Sequence, residues 1–229
     1  ESANVGTKIL LHENGDTMPL DWNVVMPSLV SAVSGLCGVW LGGQLTFKRE
    51  ARREADRIKR ESNYLVILVV AHLDRFIDGC VQVSFDNGMS EGRPAGEDGV
   101  CAATVTVPSF DPLVLTVDWK VLPADLMYEI LNLPYRAEQL AGYISSIAEY
   151  DDPPDFDRTF WARQLGYAEL GLEISKLARR LRQHANLPVD QPVLGNWDRE
   201  KTLREQVAKV TAEKAAYEAG TITFSPVAD

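Results

Sequence analysis

The side chains that could bind metals or transfer protons near neutral pH are few and far apart in the sequence. The chain has three histidines, His12, His72 and His184. His72 stands two residues before Asp74, and residues two apart do not share a helix face. A metal site needs several convergent His, Cys or carboxylate ligands, and no spacing here resembles one. We therefore predict no metal ligands and no cofactor.

The sequence also lacks the short motifs of nucleotide binding and of nucleophilic catalysis. It contains neither Gly-x-x-x-x-Gly-Lys nor Gly-x-Ser-x-Gly, which are the signatures of a phosphate-binding loop and of a nucleophile elbow. A hydrolase or transferase would need carboxylates such as Glu129 or Glu169, and the sequence offers no reason to choose between them. We predict no catalytic residues and a protein that is not an enzyme.

Four aspartates lie close together around Pro153 and Pro154. Such a cluster would suit contact with a cation or a partner, or it would suit a turn and a helix cap. The two prolines disfavour the backbone of a calcium loop. We therefore favour the second interpretation and predict that Asp155 caps the next helix. The four residues are Asp151, Asp152, Asp155 and Asp157.

The element that must position the rest of the chain is an uncharged run at residues 22–47. A bilayer core about 30 Å thick is crossed by roughly 20 apolar residues in a helix. One alternative is a buried helix of a soluble protein. Another is a cleaved signal peptide, which needs a basic segment in front, whereas residues 1–21 contain one lysine and four acidic residues. We predict a single transmembrane helix over 22–47.

The charges that flank this run predict its orientation. Residues 1–21 contain one Lys or Arg, and residues 48–61 contain seven. Cytoplasmic flanks of membrane helices are enriched in Lys and Arg. We therefore predict a bacterial inner-membrane protein with its N-terminus outside and its C-terminal domain in the cytoplasm. The basic flank also attracts anionic lipid headgroups, and the predicted contacts are Lys48, Arg49, Arg52 and Arg53.

Small residues recur every four positions within the predicted anchor, at Ser34, Gly38 and Gly42. Rows of this kind allow two membrane helices to approach closely. They predict a homodimer formed through the transmembrane helix.

Helical patterns dominate the remainder of the chain. No Pro or Gly interrupts residues 48–78, which predicts a long helix continuing from the anchor. The apolar run at 64–71 would also suit a buried strand. Further on, apolar residues recur every seven positions in a pattern typical of a packed helical hairpin. These residues are Phe160, Tyr167, Ile174 and Leu181.

A short ribbon interrupts the helical pattern. Leu113, Leu115, Val117 and Trp119 alternate with other residues, and together with 101–107 this pattern predicts two paired strands. The expected fold is therefore mainly α with a small β-ribbon. The predicted division is a polar tail at 1–21, a transmembrane helix at 22–47, a juxtamembrane helix at 48–85, a flexible loop at 86–100, the ribbon and helical hairpin at 101–187, a linker at 188–197, and a C-terminal helix and tail at 198–229.

Composition limits the classes of partner. The formal net charge of −10 argues against a nucleic-acid partner, because phosphate contacts need a basic surface. Cys37, Cys80 and Cys101 are scattered and odd in number. They suit a reducing compartment and indicate no disulfide framework.

Three stretches carry a resemblance to other proteins: 118–134 (DWKVLPADLMYEILNLP), 150–155 (YDDPPD) and 179–188 (RRLRQHANLP). Over residues 105–190 the chain resembles a family of uncharacterised bacterial and prophage proteins with a single membrane anchor. The resemblance implies a bacterial or prophage origin. It implies no activity, substrate or catalytic residue.

These features favour a non-enzymatic protein held at the membrane. Its helical domain would bind an unidentified cytoplasmic protein as an interaction or scaffolding module. A second hypothesis is a membrane-perturbing phage or defence effector that acts through oligomers of its anchor.

Overall fold

The computed structural model of the chain describes residues 22–189 and 197–223, and it describes their side chains except at 22–42, 45 and 221–223. The predicted tail at 1–21 and most of the predicted linker at 188–197 lie outside the described residues. The chain divides into two compact units, Glu1–Ala55 and Asp56–Asp229. The described part is mainly helical, as predicted.

The first helix, α1 (Trp22–Ser84), includes the whole stretch that the sequence predicts as a long helix after residue 48. The apolar run at 64–71, which also suited a strand, is helical. Among the described residues, no helix combines the length and the apolar character needed to cross a membrane. The side chains of Ser34, Gly38 and Gly42 lie outside the described residues, so their pairing stays a prediction.

Helices α2 (Ala124–Leu131), α3 (Leu133–Ala148), α4 (Asp157–His184) and α5 (Arg199–Thr223) follow in the second unit. Pro134 stands in the first turn of α3, where its missing N–H costs little. Arg136 of α3 forms an ion pair with Glu173 of α4. Leu140, one turn further along α3, lies against Gly166, two turns earlier in α4. The two helices are therefore antiparallel, as the predicted hairpin requires.

Helix α4 carries one side of the core of the second unit. The four residues of its predicted seven-residue repeat, Phe160, Tyr167, Ile174 and Leu181, are all buried. Burying each of these side chains contributes about 1.5–3 kcal/mol to stability. Their partners on α1 recur at helical spacing, which confirms that the run at 64–71 is a core face. These partners are Leu65, Val66, Val69, Leu73, Phe76 and Ile77.

Residues of α1 and α5 both pack against α4 at Gly171. A Cβ atom built at Gly171 would lie 3.0 Å from Cys80 Cβ of α1 and 3.1 Å from Leu203 Cδ1 of α5. The missing side chain of Gly171 thus lets both helices pack directly on the backbone of α4.

Two buried amides receive the carboxyl end of α1. The Gln164 side chain of α4 donates to the Asp86 carbonyl oxygen at 3.0 Å, and the Gln206 side chain of α5 donates to the Ser84 carbonyl oxygen at 2.6 Å. The last carbonyls of a helix have no partner within the helix. Gln206 therefore satisfies one of the last carbonyls of α1, and Gln164 satisfies a carbonyl just beyond the end of the helix.

The ribbon predicted within 101–119 is wrong. The described residues form strands only at β1 (Met89–Ser90) and β2 (Arg93–Pro94), which pair within the predicted loop at 86–100. Residues 101–119 contain turns instead, because side chains take the backbone donors that a ladder would use. The Asp111 carboxylate accepts from Leu113 N at 2.9 Å, and the Asp118 carboxylate accepts from Lys120 N at 3.0 Å.

The predicted cap of α4 is also wrong. The residue that precedes the helix is Phe156, which lies in the left-handed region at φ 53°. The side chain of Phe156 makes no capping hydrogen bond to the helix. The Asp151 carboxylate instead accepts from Thr159 N and from Thr159 Oγ1, each at 2.7 Å. The turn at 151–156 brings the Asp151 carboxylate to the N–H groups of the first turn of α4. The spacing of the aspartates in the sequence does not indicate which of them caps the helix.

Asp86 attaches the segment at 101–119 to α4. Its buried carboxylate accepts from Thr104 Oγ1 at 2.8 Å and from the backbone N–H groups of Gly88, Thr104 and Val105. Arg163 Nη2 of α4 lies 3.3 Å from the same carboxylate. Burial alone would raise the pKa of Asp86, but the hydrogen bonds from Val105, Thr104 and Gly88 outweigh burial and lower that pKa.

We expect Asp86→Ala to lower the free energy of unfolding by about 3 kcal/mol, because it leaves a buried arginine and several buried N–H groups unpaired. Urea denaturation followed by circular dichroism measures this loss. Asp111→Ala is the matched control. It removes an exposed aspartate that also accepts from the backbone, and it should cost about 1 kcal/mol or less.

The loss from Asp86→Ala should depend on pH. The lowered pKa of Asp86 means that its carboxylate stabilises the fold above the unfolded pKa of about 3.9. That stabilisation disappears as the pH falls through the lower pKa of the folded state. The gap in urea midpoint between wild type and variant should be constant from neutral to mildly acid pH and shrink below about pH 4. A gap that widens on acidification would contradict this role.

Gly171→Leu should destabilise the protein by about 1–3 kcal/mol, because it overpacks the contact among α1, α4 and α5. Gly142 of α3 provides the control, since a Cβ atom there meets nothing within 4 Å. Gly142→Ala should raise helix stability by about 0.5–1 kcal/mol. Thermal unfolding should show a lower melting temperature than wild type for Gly171→Leu and a higher one for Gly142→Ala.

Candidate functional site

A groove of about 1010 Å³ lies between α3, α4 and α5 of the second unit. We call it the docking groove. Its floor is formed by Ala162, Leu165 and Gly166 of α4. One wall is formed by α3 and the other by α5. The main wall residues are Leu140, Tyr143 and Ile147 of α3 and Tyr217 of α5.

The groove exists because α4 has a second face. Residues of α4 that line it recur three or four positions apart, and they lie opposite the face that carries Phe160 and Tyr167. Ala162 on this face has a small side chain, which gives the groove depth. Leu140 of α3 packs directly on Gly166, where an added Cβ atom would overlap the Leu140 side chain.

Aromatic side chains surround the opening of the groove. Trp161 of α4 and Tyr217 of α5 meet edge to face with ring centroids 5.1 Å apart. Because Leu203 packs at Gly171 and Tyr217 at Trp161, α5 also runs antiparallel to α4. Exposed aromatic residues around an apolar floor are typical of surfaces that bind protein partners.

Opposite charges mark two ends of the groove. Arg158 and Glu169 of α4 both line it, and both are exposed. Within the described ranges, neither of them forms an ion pair. Lys214 and Glu218 of α5 also line the groove, but they pair with each other at 3.9 Å. Arg158 and Glu169 therefore keep their charge available to a bound molecule.

The two carboxylates suggested by the sequence are not brought together. Glu169 lines the groove, whereas Glu129 forms an ion pair with Arg180 at the other end of α4. The hydrogen bond that Arg180 donates to the Glu129 carboxylate is the largest cause that raises the pKa of Arg180, and burial opposes the shift. Arg180, and with it Glu129 of α2, therefore lies eleven residues along α4 from Glu169, which is too far for paired acid–base chemistry.

The two histidines in the described part of the chain have structural partners. The His72 ring stacks on Phe110 with centroids 5.5 Å apart, and His184 Nε2 lies 3.2 Å from Ser62 Oγ. Cys80 is buried, and its burial raises the pKa of its thiol. In the part of the chain that the structure describes, no three His, Cys, Asp or Glu side chains are placed to hold a metal ion.

The four residues predicted to contact anionic lipid lie on α1 in the first unit. Their positions form two pairs at i,i+4 spacing, so they share one side of the helix. All four side chains are exposed to solvent. They are Lys48, Arg49, Arg52 and Arg53.

The docking groove was not predicted from the sequence. The available signal was two short outward stripes, formed by Tyr143 of α3 with Tyr150 just beyond its end and by Trp161 and Leu165 of α4. A stripe becomes a groove only when three helices are placed around it. Comparison with protein-family models, with curated proteins and with solved structures finds no match to this chain.

Proposed function

We propose that this chain is a membrane-tethered interaction module whose helical unit binds a protein partner in the docking groove. The observation that carries the proposal is the groove itself, with its apolar floor and its exposed aromatic rim. Tyr143 and Tyr150 remain 58% and 81% exposed there. Covering such side chains with a partner removes apolar surface from water at about 25 cal/mol per Å².

The arrangement of charge favours binding over catalysis. A general acid and base must both reach the same reacting group at about 2.6–3.2 Å. Arg158 and Glu169 are eleven residues apart on one helix, which is about 16 Å at 1.5 Å per residue. These two groups suit contacts at separate points of a large partner.

The tether rests on the sequence. Residues 22–47 have no charge, and Lys and Arg are concentrated on the C-terminal side of that run. We place the helical unit in the cytoplasm, at the inner membrane, with the N-terminus outside. The row of Ser34, Gly38 and Gly42 favours self-association of the anchor.

A photo-cross-linking amino acid at Ala162, on the floor of the groove, should give a discrete adduct with a protein partner in cells. The control position is Ala141, which is exposed on the outer side of α3. Tyr217→Ala combined with Trp161→Ala should reduce the Ala162 adduct, because it removes the aromatic pair at the rim. Equal adducts at Ala162 and Ala141 would reject the groove as the binding site.

Replacing Lys48, Arg49, Arg52 and Arg53 with Glu should disturb the orientation of the anchor, because it removes most of the excess of Lys and Arg on one side. Protease accessibility of a C-terminal tag in spheroplasts measures the orientation. Lys201→Glu with Lys209→Glu changes charge far from the anchor and should leave the tag protected. A tag that stays protected in all variants would contradict the proposed tether.

A further inference from the structure

We infer that the docking groove receives an amphipathic helix of about three turns, which carries an acidic side chain beside Arg158 and a basic side chain beside Glu169. The inference rests on the proposed function and adds the chemistry of the partner.

The shape of the groove matches a helix. α3 and α5 lie on either side of one face of α4, and both run antiparallel to α4. The space between them is therefore a trough parallel to the axis of α4. Helices pack with their axes 8–10 Å apart, depending on the side chains at the contact. The small side chain of Ala162 on the floor allows such an approach. A small ligand would instead be enclosed over most of its surface, whereas the rim here is widely exposed.

The apolar part of the groove suits the spacing of a helical ligand. Leu165 of the floor and Leu140 and Ile147 of the wall contribute aliphatic surface along the trough. An amphipathic helix presents its anchors at i, i+3, i+4 and i+7, which form a stripe of the same direction and period. The apolar stripe of the partner would therefore lie on this surface while its polar face stays in water.

The charges limit the length and the composition of the partner. About 16 Å separates the positions of Arg158 and Glu169 along α4, and a helix of the partner covers that distance with about eleven residues. An acidic and a basic side chain at that separation would pair with both. Complementary charges at a rim select among partners more than they add affinity. The pattern therefore disfavours helices with the same charge at both ends.

Synthetic peptides test this specificity with the full chain in lipid nanodiscs. Each labelled peptide is an amphipathic helix of about 15 residues with leucines at i, i+3, i+4 and i+7. The four peptides carry Glu and Lys, two Glu, two Lys or two Gln at positions eleven residues apart. Fluorescence anisotropy gives the affinity of each one. Wild type should bind the Glu/Lys peptide about fivefold more tightly than either like-charged peptide.

Charge reversal should exchange these preferences. Arg158→Glu places an acidic group at each of the two ends of the groove, so the variant should prefer the two-Lys peptide. Glu169→Arg places a basic group at each end, so that variant should prefer the two-Glu peptide. Ala162→Trp fills the floor and should abolish binding of all four peptides. Ala141→Trp, on the outer side of α3, is the control and should change nothing; circular dichroism confirms that each variant is folded.

The outcomes separate this inference from the proposed function. Equal affinity for all four peptides would overturn the charge pattern. Failure of every peptide to bind, while Ala162 still cross-links to a protein in cells, would overturn the inference and leave the proposed function standing. An Ala162 adduct that contains only a second copy of this chain would also overturn the inference. Absence of any adduct at Ala162 would overturn both.

Discussion

The close approach of three helices at Gly171 is the constraint on which the helical unit depends. A glycine at this position lets Cys80 of α1 and Leu203 of α5 contact the backbone of α4 from two directions. α1 thereby covers the face of α4 that carries the seven-residue repeat. The opposite face of α4 remains for α3 and α5 to flank, and the docking groove is the space that they leave.

A single buried carboxylate performs a comparable role for the irregular part of the chain. Residues 101–121 have almost no regular hydrogen bonding of their own, so their N–H groups need partners elsewhere. Asp86 accepts from Thr104 and Val105, and it also contacts Arg163 of α4. The segment is consequently attached to both α1 and α4. A charge at this depth is stable only because several donors and an arginine surround it.

The groove and the core differ in how far their apolar side chains are exposed to solvent. In the core, α1 and α4 bury their aliphatic side chains almost completely. In the groove, Tyr143, Trp161 and Tyr217 surround an apolar floor that no described element covers. The chain has a net charge of −10, which favours solubility but is uninformative about a specific partner. The local pattern of Arg158 and Glu169 is more selective, because their charges have opposite signs at separate points.

The sequence by itself determined the mainly helical fold, the helix after residue 48 and the core face of α4. Phe160, Tyr167, Ile174 and Leu181 recur at helical spacing, and such spacing predicts a buried face of a helix. The prediction does not require knowing which helix packs against that face. Only the tertiary structure decided the turns at 101–119 and the cap of α4. At 101–119, the Asp86 carboxylate accepts from Thr104 N, eighteen residues away, in addition to the local bonds of Asp111 and Asp118. At α4, the cap comes from Asp151, eight residues before the Thr159 N–H that it accepts from.

The docking groove is also a feature that only the tertiary structure decided. Its floor, its two walls and its opposite charges come from three helices, and each helix alone shows only a short outward stripe. The stripe on α4 is opposite the repeat that the sequence reveals, and the sequence alone does not show whether another helix covers it. The packing at Gly171 settles this, because it directs α1 to one face of α4 and leaves the other face open between α3 and α5.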